Sequence, residues 1–177
     1  MTLCTPPSAE QIPTTATADA YRSGMSLLAA SVCLITSSHD SENGGMIATA
    51  VTSVSTTPPT LLICVNRNAS LFKMIEESGT FCVNVLTMAA LPLVGLFSNS
   101  ALRAERFQTG EWGSVPSGAP LCSQALVAFD CRVAKIIEWH SHGIFLGEVS
   151  SVIHPGADTR PLLYMDRRFH HLHELDA

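Results

Sequence analysis

Two segments of this chain carry side chains suited to holding a polar planar ligand. Ala48-Thr49-Ala50-Val51-Thr52-Ser53-Val54-Ser55 sets hydroxyls and small residues side by side. Its hydroxyls and amides can bond a heterocycle edge or a phosphate, while Ala48 and Ala50 permit close approach. Cys64-Val65-Asn66-Arg67-Asn68-Ala69-Ser70 reads as a strand running into a helix, where a helix N-terminus, Ser70 and Arg67 suit an anion. As bare patterns, both also describe ordinary structure: a Thr-rich strand with one solvated face, and a capped helix. No Ser/His/Asp set and no paired carboxylates stand out, and neither GxGxxG nor GxxxxGK[ST] is present. His170-His171 with His173 reads as a solvated tail, so no metal is expected. His142, in His140-Ser141-His142-Gly143, is by itself a turn histidine.

The elements that must position these groups follow from periodicity. Residues 1–18, rich in Thr, Pro and Ala, read as a flexible tail, and 19–177 as one domain. Asp19 is a plausible N-cap for a helix over Ala20–Ala30, packed by the face carrying Met25, Leu28 and Ala29. Strands are expected at Val32–Ser37, Met46–Ser55, Thr60–Asn66, Phe81–Leu86, Leu121–Glu138, Ile144–Ile153 and Leu162–Met165. Ser41 to Gly45 reads as the first turn, and Pro58-Pro59 as a stop. Helices are expected from a Ser70 cap to Gly79 and, with Pro92 in its first turn, to Ser98; Arg103–Pro120 reads as a long surface loop. Seven strand runs with three inserted helices point to a mainly β fold, an antiparallel barrel with peripheral helices.

Composition narrows the class. Only 14% of the 177 residues are charged and 46% are hydrophobic, which suits a core-rich fold. The formal charge of −5, with lysine only at 73 and 135, argues against nucleic acid. No apolar run approaches the roughly 18 residues of a membrane span, and no signal peptide is readable, so a cytoplasmic location is expected. Six cysteines without a CxxC read as reduced, buried hydrophobes.

Six stretches in order resemble the short-chain flavin reductase family, in particular the reductase components of two-component aromatic monooxygenases such as 4-hydroxyphenylacetate 3-monooxygenase. They are Ile47 to Ser55 with Pro58-Pro59, Leu62 to Arg67, Phe81 to Leu86, Glu105-Arg106-Phe107 with Trp112, Ser141-His142 with Ile144 to Val149, and Tyr164 with Arg167 to His170. The resemblance implies a split, Greek-key β-barrel that forms a homodimer, binds FMN or FAD, and reduces it with NADH or NADPH for a partner monooxygenase. It implies that Thr49, Ala50, Val51, Thr52 and Ser53 line the isoalloxazine edge, and that Cys64, Val65 and Asn66 give backbone contacts. Arg67, Ser70 and Arg106 would face the phosphate with Phe107 nearby, while His142, Tyr164, Arg168 and Phe169 would border the nicotinamide. The family usually has Gly where this chain has His140. Two other readings stay open: a split-barrel flavoenzyme that retains its flavin and acts on another small substrate, and a non-catalytic flavin-binding electron carrier.

Overall fold

The computed structural model describes residues 15–155 and 160–173. The tail assigned to residues 1–18 therefore lies mostly outside the described residues. Its last four join a helix, α1 (Ala18–Ser26), capped by the Thr17 hydroxyl, which accepts from Ala20 N at 3.1 Å. Asp19 is inside that helix rather than its cap.

Seven strands form one antiparallel sheet. They are β2 (Cys33–His39), β3 (Glu42–Ala48), β4 (Val51–Thr56), β5 (Pro59–Asn66), β6 (Thr80–Leu86), β9 (Ala125–Trp139) and β10 (His142–Ile153), paired in the order β3-β2-β6-β9-β10-β5-β4. The two edge strands, β3 and β4, are consecutive in the chain, joined through Thr49 and Ala50. The expected single run Met46–Ser55 is thus broken at those two residues, where Val51 N donates to Thr49 O at 3.0 Å. The sheet wraps one apolar core that includes Ile35, Ile63, Val65, Phe81, Val83 and Phe145.

Helix α2 (Ser70–Ser78) packs Leu71, Phe72, Met74 and Ile75 into that core, and Gly79 ends it with φ +68. Its N-cap is Ala69, with no side-chain bond, so Ser70 is the first helical residue and its hydroxyl is not spent on capping. Helix α3 (Leu91–Ser98) covers the opposite side of β2, burying Leu93, Val94 and Phe97 against Val32 and Leu34. The run Val32 to Ile35 is therefore apolar because β2 is buried on both faces.

The segment 103–120 is only partly loop. A 3-10 turn, Ser100–Glu105, leads to the hairpin of β7 (Trp112–Ser114) with β8 (Pro120–Cys122), which buries Val115 and Ala119 over the sheet. That cover also explains β9, where Ala128 and Asp130 are buried although alternation assigns them to solvent. Two-residue Ala30–Ser31 (β1), Leu163–Met165 (β11) and Arg168–His170 (β12) form a separate small sheet. Asp166 and Arg167, at φ +49 and +60, make its turn.

The first hairpin turn is Asp40-Ser41, both at positive φ, as a two-residue type I′ loop requires. Gly44 and Gly45, expected in that turn, lie in β3 instead. A Cβ on Gly44 would meet Met74 Sδ at 2.6 Å, and one on Gly45 would meet Phe97 Cε1 at 2.7 Å. Close helix packing, not turn geometry, is what needs these glycines.

Helix α1 was expected to pack by one face, yet none of its residues is buried and Tyr21 and Met25 stay exposed. Leu27 and Leu28 follow it into solvent at 63% and 60% exposure. Among the described residues, no helix is long and apolar enough to cross a membrane.

Candidate functional site

The predicted residues fall into three neighbourhoods around the break between β3 and β4. Two successive hollows follow β3. The first, about 280 Å³, is lined by Ile47, Thr49, Val94, Ser98, Tyr164 and Phe169. Tyr164 and Phe169 face each other across the β11–β12 pair with ring centroids 5.3 Å apart. The second hollow, about 330 Å³, is bounded by Gly45, Asn68, Ser70, Ser100, Arg103 and Arg106.

The cationic end of this groove is built unusually firmly. Arg106 donates to Gly45 O at 2.8 Å and to Asn99 O at 3.1 Å, and lies 5.5 Å over the Phe97 ring. Burial lowers its pKa, and the charge of Arg103 lowers it further. Neither arginine forms an ion pair with a carboxylate among the described residues. The first turn of α2 adds the unpaired N–H groups and positive end that any helix start presents. Two like charges that form no ion pair among the described residues, beside a helix N-terminus, favour an anion with several acceptor oxygens.

The second neighbourhood is a strand edge. Register pairs Asn66 of β5 with His142 of β10, and Arg67 N donates to Ser141 O at 2.9 Å. The β4–β5 ladder ends at Val51–Ile63, extended only by Cys64 N donating to Ala50 O at 3.2 Å. His142 is exposed, with Nδ1 2.9 Å from the Ser141 hydroxyl. Arg67 pairs with Glu138 at 2.9 Å, so its charge is directed to the β9–β10 turn and not to the arginines of the groove. His140 opens that turn at φ +50, the conformation glycine adopts freely, so the turn keeps a glycine-like backbone despite the histidine.

Thr49 also borders the third neighbourhood, a cleft of about 680 Å³ that takes in Val51, Thr52 and Ser53 with Ala29, Phe129 and Val152. The hydroxyl segment is thus divided between two clefts. Three predicted residues lie elsewhere. Val65 is wholly buried in the core and presents no surface to a ligand. Phe107 packs edge-on against Phe97 and Trp112, at 5.3 and 4.9 Å. Arg168 is exposed on β12 opposite Met165. Sequence reasoning passed over Arg103 and Ser98, and gave no role to Asn68 within its candidate segment. For Arg103 the available signal was its three-residue spacing from Arg106, which places both on one side of a helical turn.

Two hollows along β3 of this antiparallel barrel, one lined by aromatic rings and the other by arginines, have the chemistry that suits a planar anionic ligand. Residues 25–173 match the model of the flavin reductase like domain, and the chain belongs to that family. It is 43% identical over 154 residues to the FMN reductase (NADH) RutF of Pseudomonas syringae pv. syringae (strain B728a), covering 86% of this chain and 85% of that protein. Among solved structures it resembles the NADH:FAD oxidoreductase of Streptomyces globisporus C-1027. There the TM-score is 0.83 at 28% identity, over 95% of this chain and 100% of that one. That oxidoreductase has also been seen in complex with NAD and FAD fragments. The flavin reductase component of a bacterial two-component tryptophan halogenase matches with a TM-score of 0.81 at 28% identity, over 90% and 100% of the two chains.

Proposed function

We propose that this protein is an NADH-dependent flavin reductase that takes FMN as an exchangeable substrate in the groove along β3. The observation that carries the reading is the graded chemistry of that groove, from Tyr164 and Phe169 at one end to Ser70, Arg103 and Arg106 at the other. FMN has the same grading, a planar ring system joined by a polyol to a phosphate. The FMN and NADH named for the Pseudomonas relative support the choice of substrates.

Hydride passes from nicotinamide C4 to flavin N5, chemistry that belongs to the two substrates. The protein's part is to bind, orient and exclude water. Ser70 and the two arginines hold the phosphate, and Thr49, with the end of β5 at Cys64 and Asn66 beside it, borders the ring edge. His142, fixed by register beside Asn66, borders the nicotinamide face. No side chain is required to move a proton in the hydride step, consistent with a site of hydroxyls and amides. The site's few cations suit moderate affinity, so reduced flavin leaves for a partner monooxygenase.

The apolar surface of Tyr21, Met25, Leu27 and Leu28, next to the cleft at Ala29, fits a homodimer in which a second copy covers it. Sedimentation at micromolar concentration should give twice the 18.9 kDa chain mass; a monomer would oppose this arrangement. For the activity, catalytic amounts of protein with NADH and excess FMN should consume NADH over many turnovers. Consumption limited to one equivalent would indicate retained flavin, and none at all a carrier.

A further inference from the structure

Trp139, at the tip of the β9–β10 hairpin, is 68% exposed, more than any other large apolar side chain among the described residues. Its place is nevertheless fixed. Register pairs it with His142, and His142 with Asn66, so the three side chains stand in one row on one face of the sheet, with neighbouring Cβ atoms roughly 5 Å apart. The opposite face is closed there, because a Cβ on Gly143 would run into the Phe72 ring. Two contacts pin the turn to the end of β5. Arg67 N donates to Ser141 O at 2.9 Å, and the Arg67 guanidinium pairs with Glu138 at 2.9 Å. The His140 ring meets the indole at 5.0 Å and 79°, a single edge-on contact that leaves at least one indole face open.

We propose that Trp139 covers the face of the nicotinamide ring turned away from the flavin, and is a further catalytic residue that stabilises the cation formed as hydride leaves. The inference rests on the reading that places the nicotinamide beside His142, and deepens it. Hydride transfer carries two electrons and one hydrogen nucleus from nicotinamide C4 to flavin N5. The neutral dihydronicotinamide thereby becomes a pyridinium cation, and the flavin takes the negative charge. One face of the nicotinamide must lie against the flavin for the transfer, so the other is open to water unless the protein covers it. The face of an aromatic ring is negative and attracts a cation, and indole does so best. That attraction is stronger in the transition state than with the neutral substrate, which is the condition for raising the rate and not only the affinity. Asn66 and His142 give the ring polar neighbours, and Trp139, one place further along the row, gives it an aromatic cover.

Single-turnover reduction of FMN at saturating NADH, followed by stopped flow, reads the step directly. Trp139→Ala should slow it about tenfold, equivalent to about 1.4 kcal/mol of barrier, and Trp139→Phe by a few fold. Thermal unfolding and FMN affinity should stay as in wild type, since the side chain is at the surface and clear of the flavin. A second readout needs no turnover. NAD+ titrated into the FMN-saturated protein should quench tryptophan fluorescence, because a pyridinium stacked on indole accepts an electron from its excited state. The quench should vanish in Trp139→Phe, which keeps Trp112. Unchanged hydride transfer in both variants overturns the proposal, as does a quench that survives in Trp139→Phe. So does a loss confined to FMN affinity or to self-association, which would set the indole against the flavin or a second copy. Wild-type protein that reduces no flavin would overturn the flavin reductase reading itself, a different failure from variants that match wild type.

Discussion

Gly45→Ala puts the wall of the groove under direct test. The added Cβ would sit 2.7 Å from Phe97 Cε1, closer than real carbons approach, and 3.0 Å from Cδ1. Phe97 has little freedom to retreat, being 2% exposed and wedged against Phe107 and Trp112 at 5.3 and 5.7 Å. Overpacking of this kind costs about 2 kcal/mol, and replacing Gly by Ala returns roughly 0.7 kcal/mol through the unfolded chain. The net loss of about 1.3 kcal/mol corresponds to a Tm fall of roughly 3–5 °C for a chain of this size. Gly95→Ala is the matched control, since a Cβ there meets nothing within 4 Å. In that helix the change should raise Tm by roughly 2–4 °C, from about 1 kcal/mol of helix propensity. Both are read by thermal unfolding followed by circular dichroism. A Gly45→Ala protein as stable as wild type would refute the rigidity assigned to the Phe97 cluster.

Further expectations concern the site and its frame. Arg106→Lys keeps a charge but cannot span both Gly45 O and Asn99 O; it should destabilise by about 1.5–3 kcal/mol in urea titration and raise KM for FMN. His142→Ala should weaken NADH use more than flavin binding, measured by stopped-flow flavin reduction and flavin titration; equal losses would argue against its place beside the nicotinamide. His140→Gly should stabilise by about 1 kcal/mol, because it removes a side chain from a backbone at φ +50. Burial pushes the Cys33 and Cys131 thiols up to about 12 from 9.0. Their neutral form is favoured in the fold, so this stability is complete below pH 9 and is lost as pH rises toward about 12. The slope should approach 1.36 kcal/mol per pH unit per thiol, and Cys131→Ala should flatten it in unfolding titrations.

Local patterns told the strands well where one constraint governed them. β5, β6 and α2 match their expected spans closely because alternation, helical spacing and Gly79 each act within a few residues. Readings went astray where a distant partner set the outcome. Gly44 and Gly45 looked like a turn because glycine pairs usually are one, but Met74 and Phe97 dictate their use. Asp130 is covered by the β7–β8 hairpin, where Ser117 N donates to it at 3.1 Å, a contact that strand alternation does not state. The apolar face of α1 is not buried among the described residues, so its amphipathic pattern alone misplaced it. At the site, Ser70 and Arg106 were legible and converge on one hollow. Arg67 was expected with them and instead binds Glu138, a carboxylate on a strand whose register the sequence does not state. Arg103 had only its three-residue spacing from Arg106 to mark it, because nothing local says that the 3-10 turn bearing it folds back onto β3.

The central claim is that the groove along β3 turns over free flavin. It is tested most directly by NADH oxidation, followed at 340 nm under anaerobic conditions, with a trace of purified protein and FMN in large excess. The account predicts that FMN is reduced mole for mole with NADH over many turnovers, at a rate saturating in FMN and falling severalfold in Ser70→Ala. A rate no higher than that of the protein-free mixture, or one that ignores added FMN, would contradict it.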